Sequence, residues 1–210
     1  MPRSVICVSH ATGAGGPDLG RTVAEKLDYR FIDEEVIARA AEQENVSVAE
    51  LADVERRRSF LGRMVEGLAG GQFAVAAGYG YVAPPMDLAM HSPESLRGLI
   101  RQSLEELAGE GRAVIVSHAA AYALGPHRDV LRVLVTAPTE VRVRRFAEAS
   151  ELEPKAAAKS IAEHDTNRAD YLKRFYRVGA ELPTHYDLVL NTDTVPATAF
   201  ADLVVAAASL

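Results

Sequence analysis

Val5-Ile6-Cys7-Val8-Ser9-His10-Ala11-Thr12-Gly13-Ala14-Gly15-Gly16-Pro17-Asp18-Leu19-Gly20 decides how this chain folds. It begins as an apolar run of strand formers and bends through glycines. It leaves as a helix in which Leu19, Val23 and Leu27 recur every fourth residue. Strand, glycine bend and helix in that order build an anion site. The N–H groups of the bend converge, and the helix N-terminus adds partial positive charge. Pro17 suits the first helical turn, where a missing N–H costs nothing. The bend is expected to face a phosphate; the plainer reading is a glycine turn between a strand and a helix.

Two phosphate-binding patterns come close to fitting. In G-x-x-x-x-G-K-[ST], with Gly15 as the second glycine, His10 takes the first glycine, Gly16 the lysine and Pro17 the hydroxyl. In G-x-G-x-x-G/A, Gly13 and Gly15 match and Asp18 takes the third position, where helix and strand must pack closely. Asp33, after Tyr29-Arg30-Phe31-Ile32, suits the ribose-binding acid of the second pattern.

At 210 residues one domain is expected, spanning 1–210. The 23 basic residues against 29 acidic, a net of −6, argue against general nucleic-acid binding, which wants a basic surface. Cys7 is the single cysteine, which rules out a disulfide framework or a cysteine zinc site and fits a reducing, cytoplasmic compartment. Six scattered histidines give no metal-ligand spacing. The first strand begins close to Met1, so no signal peptide is expected. No apolar run approaches the ~18–20 residues of a membrane span, so no membrane partner is expected.

Further strands are expected over 29–32, 113–117, 130–135 and 187–191. Helices are expected over 34–43, from Ser47, over 92–108, 139–149 and 154–176, and from about Pro196. Strands thus alternate with helices, which predicts about five parallel strands with helices on both faces. Residues 62–91, broken by glycines and ending in Pro84-Pro85, read as an insertion. Phe73, Tyr79, Tyr81, Met86 and Met90 make it too apolar for an ordinary exposed loop, so a homodimer contact is expected there, the alternative being that it folds back as an acceptor-binding subdomain. Ligands of such sheets sit at the carboxyl ends of the strands. That places the first loop, Asp33, His118, the segment after Thr136, and Asn191-Thr192-Asp193 together.

Several stretches, in this order, resemble the cytidylate-kinase-like family of P-loop phosphotransferases. They are Gly13-Ala14-Gly15-Gly16 with Leu19-Gly20, Ala24-Glu25-Lys26-Leu27, Phe31-Ile32-Asp33-Glu34-Glu35-Val36-Ile37, Leu131 to Pro138, His164-Asp165-Thr166-Asn167-Arg168, and Tyr186 to Asp193. The resemblance implies a three-layer P-loop kinase-like α/β fold with a helical lid. It also implies transfer of the ATP γ-phosphoryl, with Mg2+, to a nucleotide-like acceptor. His10, Thr12, Gly13, Ala14, Gly15 and Gly16 would hold ATP phosphates, with Arg142, Arg145 and Arg174 from the lid. Asp33, His118, Asp165 and Arg168 would serve the reaction, Asp33 orienting the acceptor or a magnesium-bound water. The lid is the segment from Arg142 to Arg177, which carries nine of the 23 basic residues. On the bland reading these arginines pair with nearby acids on solvated helices.

Departures from the family stand beside the matches. The resemblance leads one to expect arginine at His10, His118 and His164, and the wider P-loop pattern lysine at Gly16. Imidazole is largely neutral at pH 7 and lacks the guanidinium fork. The alternative function is therefore a nucleotide- or phosphate-binding module with little catalysis, acting through a protein partner.

Overall fold

The computed structural model describes residues 3–33, 105, 108–117 and 119–210. The segment 62–91, the helices expected over 34–43 and from Ser47, most of the one from Ser92, and His118 lie outside them.

The strands are β1 (Val5–His10), β2 (Arg30–Ile32), β3 (Ala113–Val116), β4 (Val130–Thr136) and β5 (Leu188–Asn191). All pair in parallel, in the order β2-β3-β1-β4-β5. Val5 lies level with Ala113 on one side and Val130 on the other, so β1 is the middle strand. Every residue of β1 is buried, which is why it reads as an uninterrupted apolar run. Its side chains alternate. Ile6 and Val8 face Leu19 and Val23 of α1 (Gly16–Leu27) and Val204 of α5 (Ala201–Ala208). Val5 and Cys7 face Ala120 and Ala121 of α2 (Ala120–Leu124) and Tyr186. Two further helices, α3 (Thr139–Ser150) and α4 (Pro154–Tyr176), pack on each other. No described helix is long and apolar enough to cross a membrane.

The strands and long helices fall within a residue or two of the expected spans. Two elements were not expected: α2 and the 3-10 turn Pro183–His185, both too short to show periodicity. The helix expected from Pro196 opens as a 3-10 turn, Ala197–Phe200, before α5. Entry to β5 is fixed by Asp187, whose carboxylate takes hydrogen bonds from the Arg132 guanidinium at 2.8 and 3.2 Å and from its backbone N–H at 2.9 Å. Burial pushes this carboxyl up, but the Arg132 hydrogen bonds outweigh it and hold it below its usual range.

The strand order excludes the dinucleotide-binding reading of Gly13-x-Gly15. In that fold β2 lies beside β1, whereas here β3 separates them. Asp18 is exposed, and the close approach of helix to sheet is made by Gly20. A Cβ at Gly20 would fall 2.3 Å from Val116 Cγ2, on a stiff, buried β-branched side chain. This gives a test of the packing. Alanine would gain about 1 kcal/mol of helix propensity over glycine. Overpacking costs about 1–3 kcal/mol, so Gly20→Ala is expected to lose up to about 2 kcal/mol net, read from urea unfolding. A net gain in stability would show that α1 does not lie this close to β3.

Candidate functional site

The site is built around the chain between His10, which ends β1, and Gly16, which starts α1. Gly13 has φ 81° and Gly15 φ 85°, both in the left-handed region that suits glycine. Four carbonyls of this stretch are held by the surrounding protein. The His10 carbonyl accepts from Arg168 Nη1 at 3.0 Å. That of Ala11 accepts the Ala14 N–H at 3.0 Å and lies 3.3 Å from His10 Nδ1. The Thr12 carbonyl accepts from Arg142 Nη1 at 3.2 Å, and that of Ala14 from Thr192 Oγ1 at 2.9 Å. A planar trans peptide sets each C=O and the following N–H on opposite sides. With the Thr12 and Ala14 carbonyls drawn into the protein, the Gly13 and Gly15 N–H groups face the other way. Gly16 and Asp18 add the uncommitted donors of a helix start. The N–H groups of Gly13, Gly15 and Gly16 have no hydrogen-bond partner among the described residues.

The side chains that hold these carbonyls are held in turn. Arg142 forks onto Asp165 at 2.9 and 2.7 Å and donates through Nε to the Ala137 carbonyl at 3.2 Å. Arg168 forks onto Glu181 at 2.9 and 2.5 Å and donates to Ser9 Oγ at 2.9 Å. The Tyr186 hydroxyl donates to Glu181 and lies 3.4 Å from both Ser9 Oγ and the Tyr122 hydroxyl. Burial, then the Glu181 carboxylate, pushes the Tyr186 phenol above its ordinary range. Arg145 differs. It donates to Thr192 Oγ1 at 3.0 Å and to the Thr192 carbonyl at 2.6 Å, both uncharged. No described carboxylate comes within ion-pair distance of it.

His10 is only 6% exposed. Burial, and then the Arg168 charge, pushes its pKa down to about 4, so the ring is neutral at pH 7. Asp33 is half-buried just past β2, two strands from β1 and so about 10 Å across the sheet. Arg174 is exposed, its guanidinium 5.2 Å above the Phe175 ring, and no described contact joins it to the loop. His164 is buried, edge-on to Phe146. The structure thus gathers His10, Thr12, Gly13 to Gly16, Arg142, Arg145, Asp165 and Arg168, and leaves Asp33 and Arg174 apart from them. Thr192 was expected at these strand ends without a specific role, Ser9 and Tyr186 stand in the quoted stretches with none, and Glu181, in a non-periodic loop, gave no signal. No described cluster of three or more acidic, His or Cys side chains could hold a metal ion.

A parallel sheet of order β2-β3-β1-β4-β5 with a glycine-rich loop leaving its central strand is the P-loop kinase-like α/β fold. The chain belongs to the cytidylate kinase-like family, whose profile matches residues 5–194. It is 24% identical to a cytidylate kinase of Halobacterium salinarum over 201 residues, covering 95% of this chain and 86% of that one. It is 26% identical to a cytidylate kinase of Methanocorpusculum labreanum over 207 residues, covering 97% and 96%. Among solved structures it is similar to an uncharacterized protein from Eubacterium ventriosum, with TM-score 0.67 at 12% identity and 97% of both chains covered. It is also similar to a shikimate kinase from Bacteroides thetaiotaomicron, with TM-score 0.52 at 18% identity and 98% of both chains covered. At such identities these structures establish the fold.

The buried imidazole gives a pH prediction. In the fold His10 titrates near 4, against 6.5 for the free side chain. Between these values the unfolded chain binds more protons, so stability is full above the unfolded pKa and is lost as pH falls. The His10 share of that loss between pH 7 and pH 5 is about 2 kcal/mol. His10→Asn removes it, so parent and variant stabilities should converge by that amount over this range, read by chemical denaturation. A difference that stays constant from pH 7 to pH 5 would contradict the buried neutral ring.

Proposed function

We propose that the chain transfers the γ-phosphoryl group of ATP to a nucleotide-like acceptor. The observation that carries this reading is the loop at Gly13 to Gly16, where the Thr12 and Ala14 carbonyls are tied back and the N–H groups of Gly13, Gly15 and Gly16 have no partner among the described residues. Such a cradle fits phosphate oxygens, which accept from several N–H groups at once and are favoured by a helix N-terminus. When bound, ATP supplies the phosphoryl group, and Mg2+ supplies counter-charge on its oxygens. The described residues offer little to the metal itself. Pro17 has no oxygen at the hydroxyl position of the P-loop pattern, and among the described residues no cluster could hold an ion.

The work of this chain's residues is then positioning and charge. Gly13, Gly15 and Gly16 orient the phosphates through their N–H groups. Arg142 and Arg168 share their charge with Asp165 and Glu181, so they shape the loop more than they attract anions. Arg145 is the guanidinium of this group with uncharged partners, and it supplies the net positive charge. Asp33 orients the acceptor from across the strand ends. The reaction would run in the cytoplasm, a reducing compartment that suits a lone buried Cys7, and the homodimer contact would involve residues 62–91.

A second reading is a phosphate-binding module with little turnover, favoured by Gly16 in the lysine position. Losing one charged hydrogen bond there costs about 1.5–3 kcal/mol. ADP release from ATP and Mg2+, assayed across nucleoside monophosphates, separates the two. Acceptor-dependent ADP is expected; ATP binding without turnover would select the second reading.

Two variants test the assigned roles. Arg145→Met is expected to weaken ATP binding about tenfold and flatten its dependence on salt, because the screened attraction is removed. An unchanged salt slope by calorimetry would show that the charge lies elsewhere. Asp33→Asn is expected to lower turnover by about 10²-fold or more with little change in melting temperature. Unchanged turnover with a loss of about 0.5–2 kcal/mol of stability would make Asp33 a helix cap.

A further inference from the structure

We propose that His10 is a positioning residue, a strut that spans the phosphate loop from its first carbonyl to the first residue of α1 and sets the loop's shape. The proposal rests on the phosphate reading of that loop. Its first anchor is the Ala11 carbonyl, 3.3 Å from His10 Nδ1. A carbonyl can only accept, so Nδ1 carries the ring proton in this contact. The same carbonyl accepts the Ala14 N–H and closes the first turn of the loop. The second anchor is Gly16. A Cβ built there would lie 2.4 Å from His10 Cβ, 2.4 Å from Cγ and 2.7 Å from Cδ2. The imidazole therefore rests against the bare Cα of Gly16, in the space where a side chain at that position would begin.

Residues 10 and 16 are consequently chosen together. With histidine at 10, no side chain enters at 16, and a lysine restored there by itself would displace the ring. The strut is itself braced from behind, because Arg168 holds the His10 carbonyl. Its ring is buried at the end of β1. The loop keeps its amide cradle by steric support from an imidazole at the cost of the point charge a lysine would bring.

The test is a set of four variants of the full chain, titrated with ATP and Mg2+ by calorimetry and unfolded thermally. His10→Gly loses both anchors and is expected to weaken ATP binding about tenfold. His10→Asn, whose Nδ2 can occupy the place of the ring Nδ1, is expected to stay within about threefold of the parent. Gly16→Ala in the parent is expected to cost more than about tenfold, through the clash with the ring. In the His10→Gly background the same Gly16→Ala should cost less than about threefold. Gly16→Ala costing the same in both backgrounds would overturn the strut, as would His10→Asn binding as weakly as His10→Gly. A role confined to stability would lower the melting temperatures without this pattern in affinity, and would also overturn it. A parent that binds no ATP overturns the phosphate reading instead. The 10–16 contact is then judged by whether the two substitutions couple in thermal unfolding.

Discussion

The planar peptide unit is the constraint on which the rest of this site depends. A carbonyl drawn toward the protein turns the next N–H away from it. Between β1 and α1 this happens by design of the surroundings: Arg142 takes the Thr12 carbonyl and Thr192 takes that of Ala14. Left-handed Gly13 and Gly15 allow the chain to follow. Without those two holds, nothing in the glycines themselves would fix which face the amides present. With them, the donors are oriented before any ligand arrives, which is how preorganised dipoles act most strongly.

The ion pairs behind the loop follow from the same constraint. Arg142 and Arg168 are both buried, and an unpaired buried charge is costly, so each has a carboxylate fork, from Asp165 and Glu181. Breaking such a pair by removing one partner costs about 3–5 kcal/mol. Their value to the site is therefore geometric. They fix α3 and α4 against the carboxyl end of β1, and in the proposed function the attraction of anions falls to the amides, the α1 terminus and Arg145.

The framework of this fold was legible because it is periodic. β1 reads as continuous apolar residues since both faces are covered, and α1 shows its stripe at Leu19, Val23 and Leu27. The glycine bend was legible as a strand-to-helix loop from its place between them. Its supports were not, because they act across long sequence separations with no spacing to betray them. Arg168 meets Ser9 and Glu181, and Thr192 meets Ala14, only once the strands are ordered. The dinucleotide-binding pattern would have set Asp18 at the helix–sheet contact, which counted against it; Gly20 is found there, since the register of a helix against its sheet depends on packing. Arg142 and Arg145 lie three apart on α3, yet their difference in charge balance is set by partners on other elements.

The proposed function requires the amides of this loop to meet one anion. An amide-resolved nitrogen–proton NMR titration of the labelled chain with ATP and Mg2+ tests this. The Gly13, Gly15 and Gly16 N–H resonances are expected to move together, downfield and saturably, as phosphate oxygens accept from them. If ATP binds while those three resonances stay in place and others move, the loop is a turn and the nucleotide sits elsewhere.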